Sequence, residues 1–286
     1  MSRSFLLVRV ALRFAILAVW LAAAEPASAA TQGVLIAPTT VIVDSRSRTT
    51  SLLLVNPGDE PAEVEISAFF AYTITDSTGQ LQLHTPERPD SGLVSAADWI
   101  RVFPRRMTID PKSQQTVRLL VSPPADLPDG EYWARLAVLA RGGTLPITSA
   151  ADTGVHVGLS IEVRTLLPVL FRKGKVSTGV AISDLRALRV DDSVVVRARL
   201  DRQGNAAMIG TVRGEFVDAA GKVRASFSQP MSAYVALEPR FTAPSDSVPA
   251  GRYTLRMEVL PERRDLPAES LVAFRAVRDS VAVDLP

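Results

Sequence analysis

The chain reads as all-β, two immunoglobulin-like β-sandwich domains behind a cleaved signal peptide, and three observations carry that reading. Short β-branched runs broken by Pro, Gly, Asn and Asp recur from Val34 onward, the spacing of a sandwich rather than of alternating strands and helices. No stretch beyond the N-terminal leader sustains a 3.6-residue apolar period, so helix is a minor component at most. An apolar-Pro-x-Gly-x-Tyr-x-x-Arg pattern occurs twice, at Leu127–Arg135 and Val248–Arg256, 121 residues apart, which is a repeat at domain scale.

The leader comes first. Arg3, Arg9 and Arg13 give a basic start, and the apolar run Phe14–Ala24 has eleven residues, short of the roughly 20 that span a bilayer as a helix. Pro26 breaks it, and Ala27-Ser28-Ala29 supplies a small-x-small cleavage pattern after Ala29. Cleavage leaves 257 residues, the length of two domains, which divide as 30–172 and 173–286. It also takes three of the 32 basic and one of the 30 acidic residues, leaving 29 of each. With no Lys/Arg cluster left, nucleic acid is not an expected partner. The absence of cysteine excludes disulfides and thiolate metal sites. No second apolar stretch of membrane-spanning length follows, so a soluble, exported, periplasmic protein is expected.

Along the first domain, Val34–Val43 reads as a strand interrupted at Pro38, a residue suited to an edge or a change of sheet. Ser51–Val55 follows, ended by Asn56-Pro57-Gly58-Asp59. Ala62–Thr75 runs to the turn Asp76-Ser77-Thr78-Gly79, and Gln80–His84 returns. Trp99–Phe103, Thr116–Val121 and Tyr132–Leu139 complete the ordinary set. The Gly-x-Tyr of the repeat suits a tyrosine corner, in which the phenol ties back to upstream backbone. A second echo pairs Asn56-Pro57-Gly58 and Asp76–Gly79 with Gly204-Asn205 and Asp218–Gly221.

The segment Val155–Phe171 is the most informative. Val155, Val157, Leu159, Ile161, Val163, Thr165, Leu167, Val169 and Phe171 alternate with residues that begin polar or small. A period of two puts all nine on one face, and seventeen extended residues span roughly 50 Å. Leu166 and Leu170 make the far end apolar on both faces, as expected where a strand enters a domain junction.

Chemistry has few candidates. His84 and His156 are the only histidines and neither has a second histidine at ligand spacing. The Asp residues at 44, 110, 191, 192 and 246 fall in turn contexts that Asx-turn hydrogen bonds account for. No calcium loop and no phosphate-cradling glycine motif occurs. No catalytic residue, metal ligand or cofactor is therefore expected, and the protein is read as a non-enzyme. What remains is the backbone of an exposed strand, which can take another chain as an extra strand.

Several segments in order resemble the periplasmic pilus-assembly chaperones of the chaperone–usher pathway over most of residues 33–172. They are the Pro38-bearing first strand ending at Asp44, Leu54-Val55-Asn56, Trp99-Ile100-Arg101-Val102-Phe103-Pro104, Ile109–Leu119, Leu127-Pro128 with Tyr132-Trp133, and the alternating strand into Leu170-Phe171-Arg172. The resemblance implies that the long strand lends alternating apolar side chains to a pilin-like secreted subunit, with an outer-membrane usher as a second partner. Val155, Val157, Leu159, Ile161 and Val163 are then the partner-binding residues. The basic pair that holds the subunit's C-terminal carboxylate in that family falls on Thr40 and Pro168, neither of which binds a carboxylate by charge. Arg172 matches the family's basic residue at the domain junction, with a structural ion pair as its implied role. The 173–286 domain resembles the family only as a sandwich. The alternative is a non-catalytic cell-surface or adhesion module, as in Gram-positive surface proteins of two similar β-domains, which usually carry a C-terminal membrane segment. Here the C-terminus, Asp279–Pro286, is short and polar.

Overall fold

The computed structural model describes residues 33–90, 92–147 and 157–286; the expected leader, residues 1–29, lies outside them. The first half of the chain gives β1 (Leu35–Ala37), β2 (Val41–Asp44), β3 (Thr49–Val55), β4 (Ala62–Phe69), β5 (Tyr72–Thr75) and β6 (Leu81–His84). There follow β7 (Ile100–Phe103), β8 (Arg106–Ile109), β9 (Gln114–Val121), β10 (Gly130–Ile147) and β11 (Val157–Lys173). The second half gives β12 (Thr178–Val190), β13 (Ser193–Gly204), β14 (Met208–Asp218), β15 (Val223–Ala233), β16 (Arg240–Pro244), β17 (Gly251–Leu260) and β18 (Val277–Leu285). Among the described residues the only helical pieces are three single turns of 3₁₀ type, and no helix is long and apolar enough to cross a membrane.

Two sandwiches result. In the first, the sheet β1-β3-β9-β7 packs on the sheet β2-β11-β10-β4-β8. Its core is filled by the inward positions of strands with a period of two: Leu52 and Leu54, Val117 and Leu119, Leu136 and Val138, Leu167 and Phe171. Pro38 stands where the first strand leaves one sheet for the other, between β1 and β2, a place where no ladder N–H is required. In the second, β12-β13-β16 packs on β15-β14-β17-β18 around Leu200, Met208, Phe216, Leu237 and Leu255.

The internal repeat has a structural meaning. The Tyr132 phenol donates to the Pro128 carbonyl at 2.8 Å and the Tyr253 phenol to the Pro249 carbonyl at 2.8 Å, so each sandwich has its own tyrosine corner. The Asp echo is also physical. Asp76 Oδ1 accepts from the N–H groups of Thr78 and Gln80, and Asp218 Oδ1 from those of Ala220 and Lys222, the same Asx closure of a hairpin.

Three details depart from the sequence reading. The expected strand 62–75 breaks at Phe70-Ala71 into β4 and β5, because Phe70 turns out of the first core into a separate cluster between the sandwiches. The strand read as Tyr132–Leu139 runs from Gly130 to Ile147, since its partner β11 continues alongside it past the sandwich. β8, a strand additional to those expected, lies between Trp99–Phe103 and Thr116–Val121 and pairs with β4.

Replacing Tyr253 with Phe removes one buried-end hydrogen bond and keeps the ring's packing. It is expected to destabilise the chain by about 1 kcal/mol, seen as a lower urea midpoint with an unchanged m-value. An unshifted midpoint would show that the phenol is satisfied equally well by solvent.

Candidate partner-binding edge and interdomain cleft

β11 pairs antiparallel with β10 along its whole length, from Ile147↔Val157 to Gly130↔Lys173. On its other side it has only β2, parallel and confined to Val169↔Val41 through Arg172↔Asp44. From residue 157 to 168 the outer side of β11 therefore meets no strand among the described residues. β4 flanks β10 only as far as Arg141↔Glu63, so beyond that point the two strands continue as a two-stranded ribbon with a register shift between Arg141 and Thr144.

The apolar face of β11 changes environment along its length. Phe171, Val169 and Leu167 are fully buried in the first core, whereas Val163 and Ile161 are only partly buried. The face emerges from the sandwich as the strand approaches its free end. Gly33 lies against Val163: a Cβ built on it would sit 3.5 Å from the valine methyls. The opposite face is polar, with Arg141 Nε and Glu162 Oε2 paired across the strands at 2.6 Å and the Arg164 guanidinium 5.5 Å from the Phe69 ring centroid. Val155 and His156 lie outside the described residues. Val157 and Leu159 stand in β11 opposite Ile147 and Leu145.

At its other end β11 enters the junction. Leu170 points away from the first core into a cluster with Phe70, Tyr72, Trp133, Ala207, Ile209 and Tyr234, contributed by both sandwiches. Leu166, expected to be apolar cover at the same junction, is 40% exposed and is not part of that cluster. Arg172 Nε donates to Glu131 Oε2 at 2.8 Å and its Nη1 to the Ser270 carbonyl at 2.7 Å. The other oxygen, Glu131 Oε1, accepts from Trp133 Nε1 and from the Ala207 N–H, both at 3.0 Å. The Glu131 side chain is 0% exposed, and the Arg202 guanidinium lies 5.8 Å from the Trp133 ring centroid. Burial pulls the Arg202 pKa down, and the Glu131 charge opposes it. The neck between the domains is held by Asn205, whose Nδ2 donates to the carbonyls of Asp129 and Lys175. Gly174, with φ +59°, is required there, since a Cβ would fall 1.9 Å from the Asp129 carboxylate.

Where β2 ends the open edge, a cleft of about 330 Å³ begins. Thr40 and Pro168, the positions given to the basic pair, both line it, together with Arg135, Tyr234, Arg263 and Asp265. Arg263 is neutralised by Asp265, with Nη2 to Oδ2 at 2.5 Å, and this pairing lowers the Asp265 pKa. Arg135 has no carboxylate partner among the described residues. Its guanidinium lies 5.3 Å from the ring centroid of the buried Tyr234, whose phenol is pushed up by burial with Arg135 opposing. The register places Arg135 directly across from Pro168. Sequence reasoning passed over Arg135 as part of the Tyr-x-x-Arg repeat. The available signal was a charged residue between Ala134 and Leu136 in a strand otherwise buried on both faces.

His84 Nε2 lies 3.5 Å from Asp90 Oδ2 at the foot of the β5–β6 hairpin, and Tyr72 donates to the same carboxylate. Among the described residues no group of three or more His, Asp or Glu could hold a metal ion.

No protein-family model matches the chain, and a search of curated proteins finds no similar sequence. Solved structures similar to it include the CupB2 chaperone of Pseudomonas aeruginosa, 14% identical over 88% of this chain and 100% of that one, with a TM-score of 0.42. The YadV chaperone is 15% identical over 88% and 100%, with a TM-score of 0.44. The CsuC–CsuE chaperone–tip adhesion subunit complex from archaic chaperone–usher Csu pili of Acinetobacter baumannii contributes a third, 13% identical over 89% and 100%, with a TM-score of 0.44. The fold rests on the sheets and cores described above.

Replacing Glu131 with Gln leaves Arg172 partly buried without its counter-charge. The expected loss of stability is about 3 kcal/mol, the scale for breaking one side of a buried pair, measured by urea unfolding. A change below about 1 kcal/mol, the range of exposed pairs, would show that water replaces the carboxylate.

Proposed function

We propose that the protein is a periplasmic chaperone-like protein that receives a secreted subunit by β-strand addition to the open edge of β11. The 30–172 domain presents the edge and the 173–286 domain completes the cleft at its end. The observation that carries this reading is the combination, in one strand, of an outer side from 157 to 168 that is unpaired among the described residues and an apolar face that passes from buried to partly buried. Unpaired N–H and C=O groups supply main-chain hydrogen bonds to an incoming strand, and alternate side chains supply contacts to a partner's incomplete core. Val155, Val157, Leu159, Ile161 and Val163 are the residues assigned to that contact.

The cleft gives the incoming strand a direction. β2 occupies the edge from residue 169 onward, so an added strand ends beside Thr40 and Arg135. A guanidinium there favours a carboxylate, so the end that arrives is the C-terminus and the added strand runs parallel to β11, in line with β2. In this reading Arg135, from the neighbouring strand β10, takes the role for which Thr40 and Pro168 lack charge. No step of this function needs a catalytic group or a cofactor.

Ile161→Asp is expected to abolish co-purification of the secreted partner while leaving the thermal transition of the free protein within a few degrees of the parent, because the side chain is already partly exposed. Leu159→Asp is the companion variant. Arg135→Gln is expected to weaken the same complex by about tenfold, the scale of a hydrogen bond to a charged group. Undiminished partner recovery with Ile161→Asp and Leu159→Asp would overturn the reading.

A further inference from the structure

The outer face of the β12-β13-β16 sheet carries an arrangement that neither the edge nor the cleft uses. The register places Arg186 directly across from Arg197, and Arg197 directly across from Arg240. Three arginines therefore stand in one row on three adjacent strands, within about 10 Å at the usual strand spacing. Alternation sets their side: Val194, Val196, Ala198 and Leu200 of β13 fill the core, which leaves Arg197 and its cross-strand neighbours on the outer face.

Like charges directly opposite one another destabilise a sheet, and the ordinary remedy is missing. Among the described residues none of the three has a carboxylate partner. Asp201 and Glu238 are both engaged by Arg199, at 2.9 and 3.0 Å. Asp76, in the adjoining hairpin turn, uses its Oδ1 on Thr78 and Gln80. The contacts made instead are to neutral backbone: Arg186 Nη1 to the Asp184 carbonyl at 3.1 Å and Arg197 Nη1 to the Ser77 carbonyl at 3.2 Å. The Nε atoms of Arg197 and Arg240 are buried without an acceptor. Partial desolvation of this kind strengthens the attraction of the remaining guanidinium edges for an anion.

We propose that the Arg186–Arg197–Arg240 row is a binding site for a phosphate-bearing anion. A carboxylate brings two oxygens and one charge, whereas a phosphate monoester offers three oxygens and close to two charges near neutral pH, better matched to bridging neighbouring arginines. Arginine suits this geometry better than lysine because its donors are fixed in a plane. Beside the row, Leu188 and Val190 of β12 are 44% and 38% exposed. That apolar margin fits a phosphate carried on a lipid, and a free phosphate would use the same three side chains.

The test is thermal unfolding of the purified protein in sodium pyrophosphate against sodium chloride of matched ionic strength. Pyrophosphate is expected to raise Tm beyond the chloride control, by mass action on the folded state. Arg186→Gln, at an exposed position, is expected to weaken pyrophosphate binding about tenfold while leaving the ligand-free protein at least as stable as the parent, since a repulsion is removed. Arg197→Gln gives a second measurement of the same loss. Sedimentation with phosphatidylglycerol against phosphatidylcholine vesicles separates the sources. Retention on the former that is lost in Arg186→Gln assigns the site to lipid phosphate, and a pyrophosphate effect without retention assigns it to the free anion. Equal Tm shifts in pyrophosphate and chloride, or undiminished pyrophosphate affinity in both variants, would overturn the proposal.

Discussion

The carboxylate of Glu131 is the constraint on which the rest of the molecule depends. Withdrawing an ionised carboxylate from water costs several kcal/mol, so a side chain with no exposed surface must be met from every direction. Here Arg172 supplies the counter-charge, Trp133 a neutral donor from two residues along the same strand, and Ala207 a backbone N–H from the second sandwich. Arg172 and Trp133 belong to the same sandwich as Glu131, so the Ala207 N–H is what ties the carboxylate to the second sandwich, with the bond from Arg172 Nη1 to the Ser270 carbonyl beside it. The backbone repeats the restriction beside it, where the Glu131 N–H donates to the Asn205 carbonyl at 2.9 Å. An apolar cluster drawn from both sandwiches then closes over the junction.

The same contacts give the edge of β11 its geometry. Glu131 faces Arg172 across β10 and β11, so the pair that fixes the domains also fixes the buried end of the long strand. β2 joins over the same four residues, 169–172. Among the described residues the strand is thus paired on both sides at the junction and by β10 alone from residue 168 back through the ribbon beyond Arg141. The junction end of β11 is thereby held in place on both sides, and a strand that needs no ordering of its own lowers the entropic cost of any association with it.

Much of this was legible in the sequence, and the reasons differ by element. The period-two run into Phe171 located β11 because one buried face forces strict alternation over many residues. The Pro38 change of sheet and the two tyrosine corners were legible because proline and the Gly-x-Tyr turn each have few conformations open to them. Arg172 was placed at the junction by resemblance, but its partner was not, since a Glu inside Asp-Gly-Glu-Tyr looks like a turn residue and its burial comes from a domain 76 residues further on. Arg135 escaped for a related reason: the face on which a strand residue meets a second domain is a tertiary fact. The break at Phe70 and the length of β10 were set by neighbours, the interdomain cluster and β11, rather than by local propensity.

A sheet with consistent sequence and structure pairs its edges and separates like charges. This chain departs from both rules, and in different domains. The unpaired side of β11 is a liability that edge strands ordinarily blunt with charge, bulges or cover. Part of that defence is present: Glu162 and Arg164 stand on the polar face and a register shift interrupts the ribbon at Arg141. What is left unpaired among the described residues is the backbone beside an apolar face, the combination that strand addition requires. The arginine row departs in the opposite sense, by concentrating charge where a sheet would disperse it, with the acidic residues of the same face already engaged elsewhere. The unpaired side of β11 adds no ladder hydrogen bonds among the described residues, although the same strand's apolar face fills the first core at Leu167, Val169 and Phe171, and the arginine row lies on the face of β13 opposite Val194, Val196, Ala198 and Leu200. The strand-addition reading and the anion proposal each start from one of these departures, an unpaired backbone ladder at the first and opposed like charges at the second.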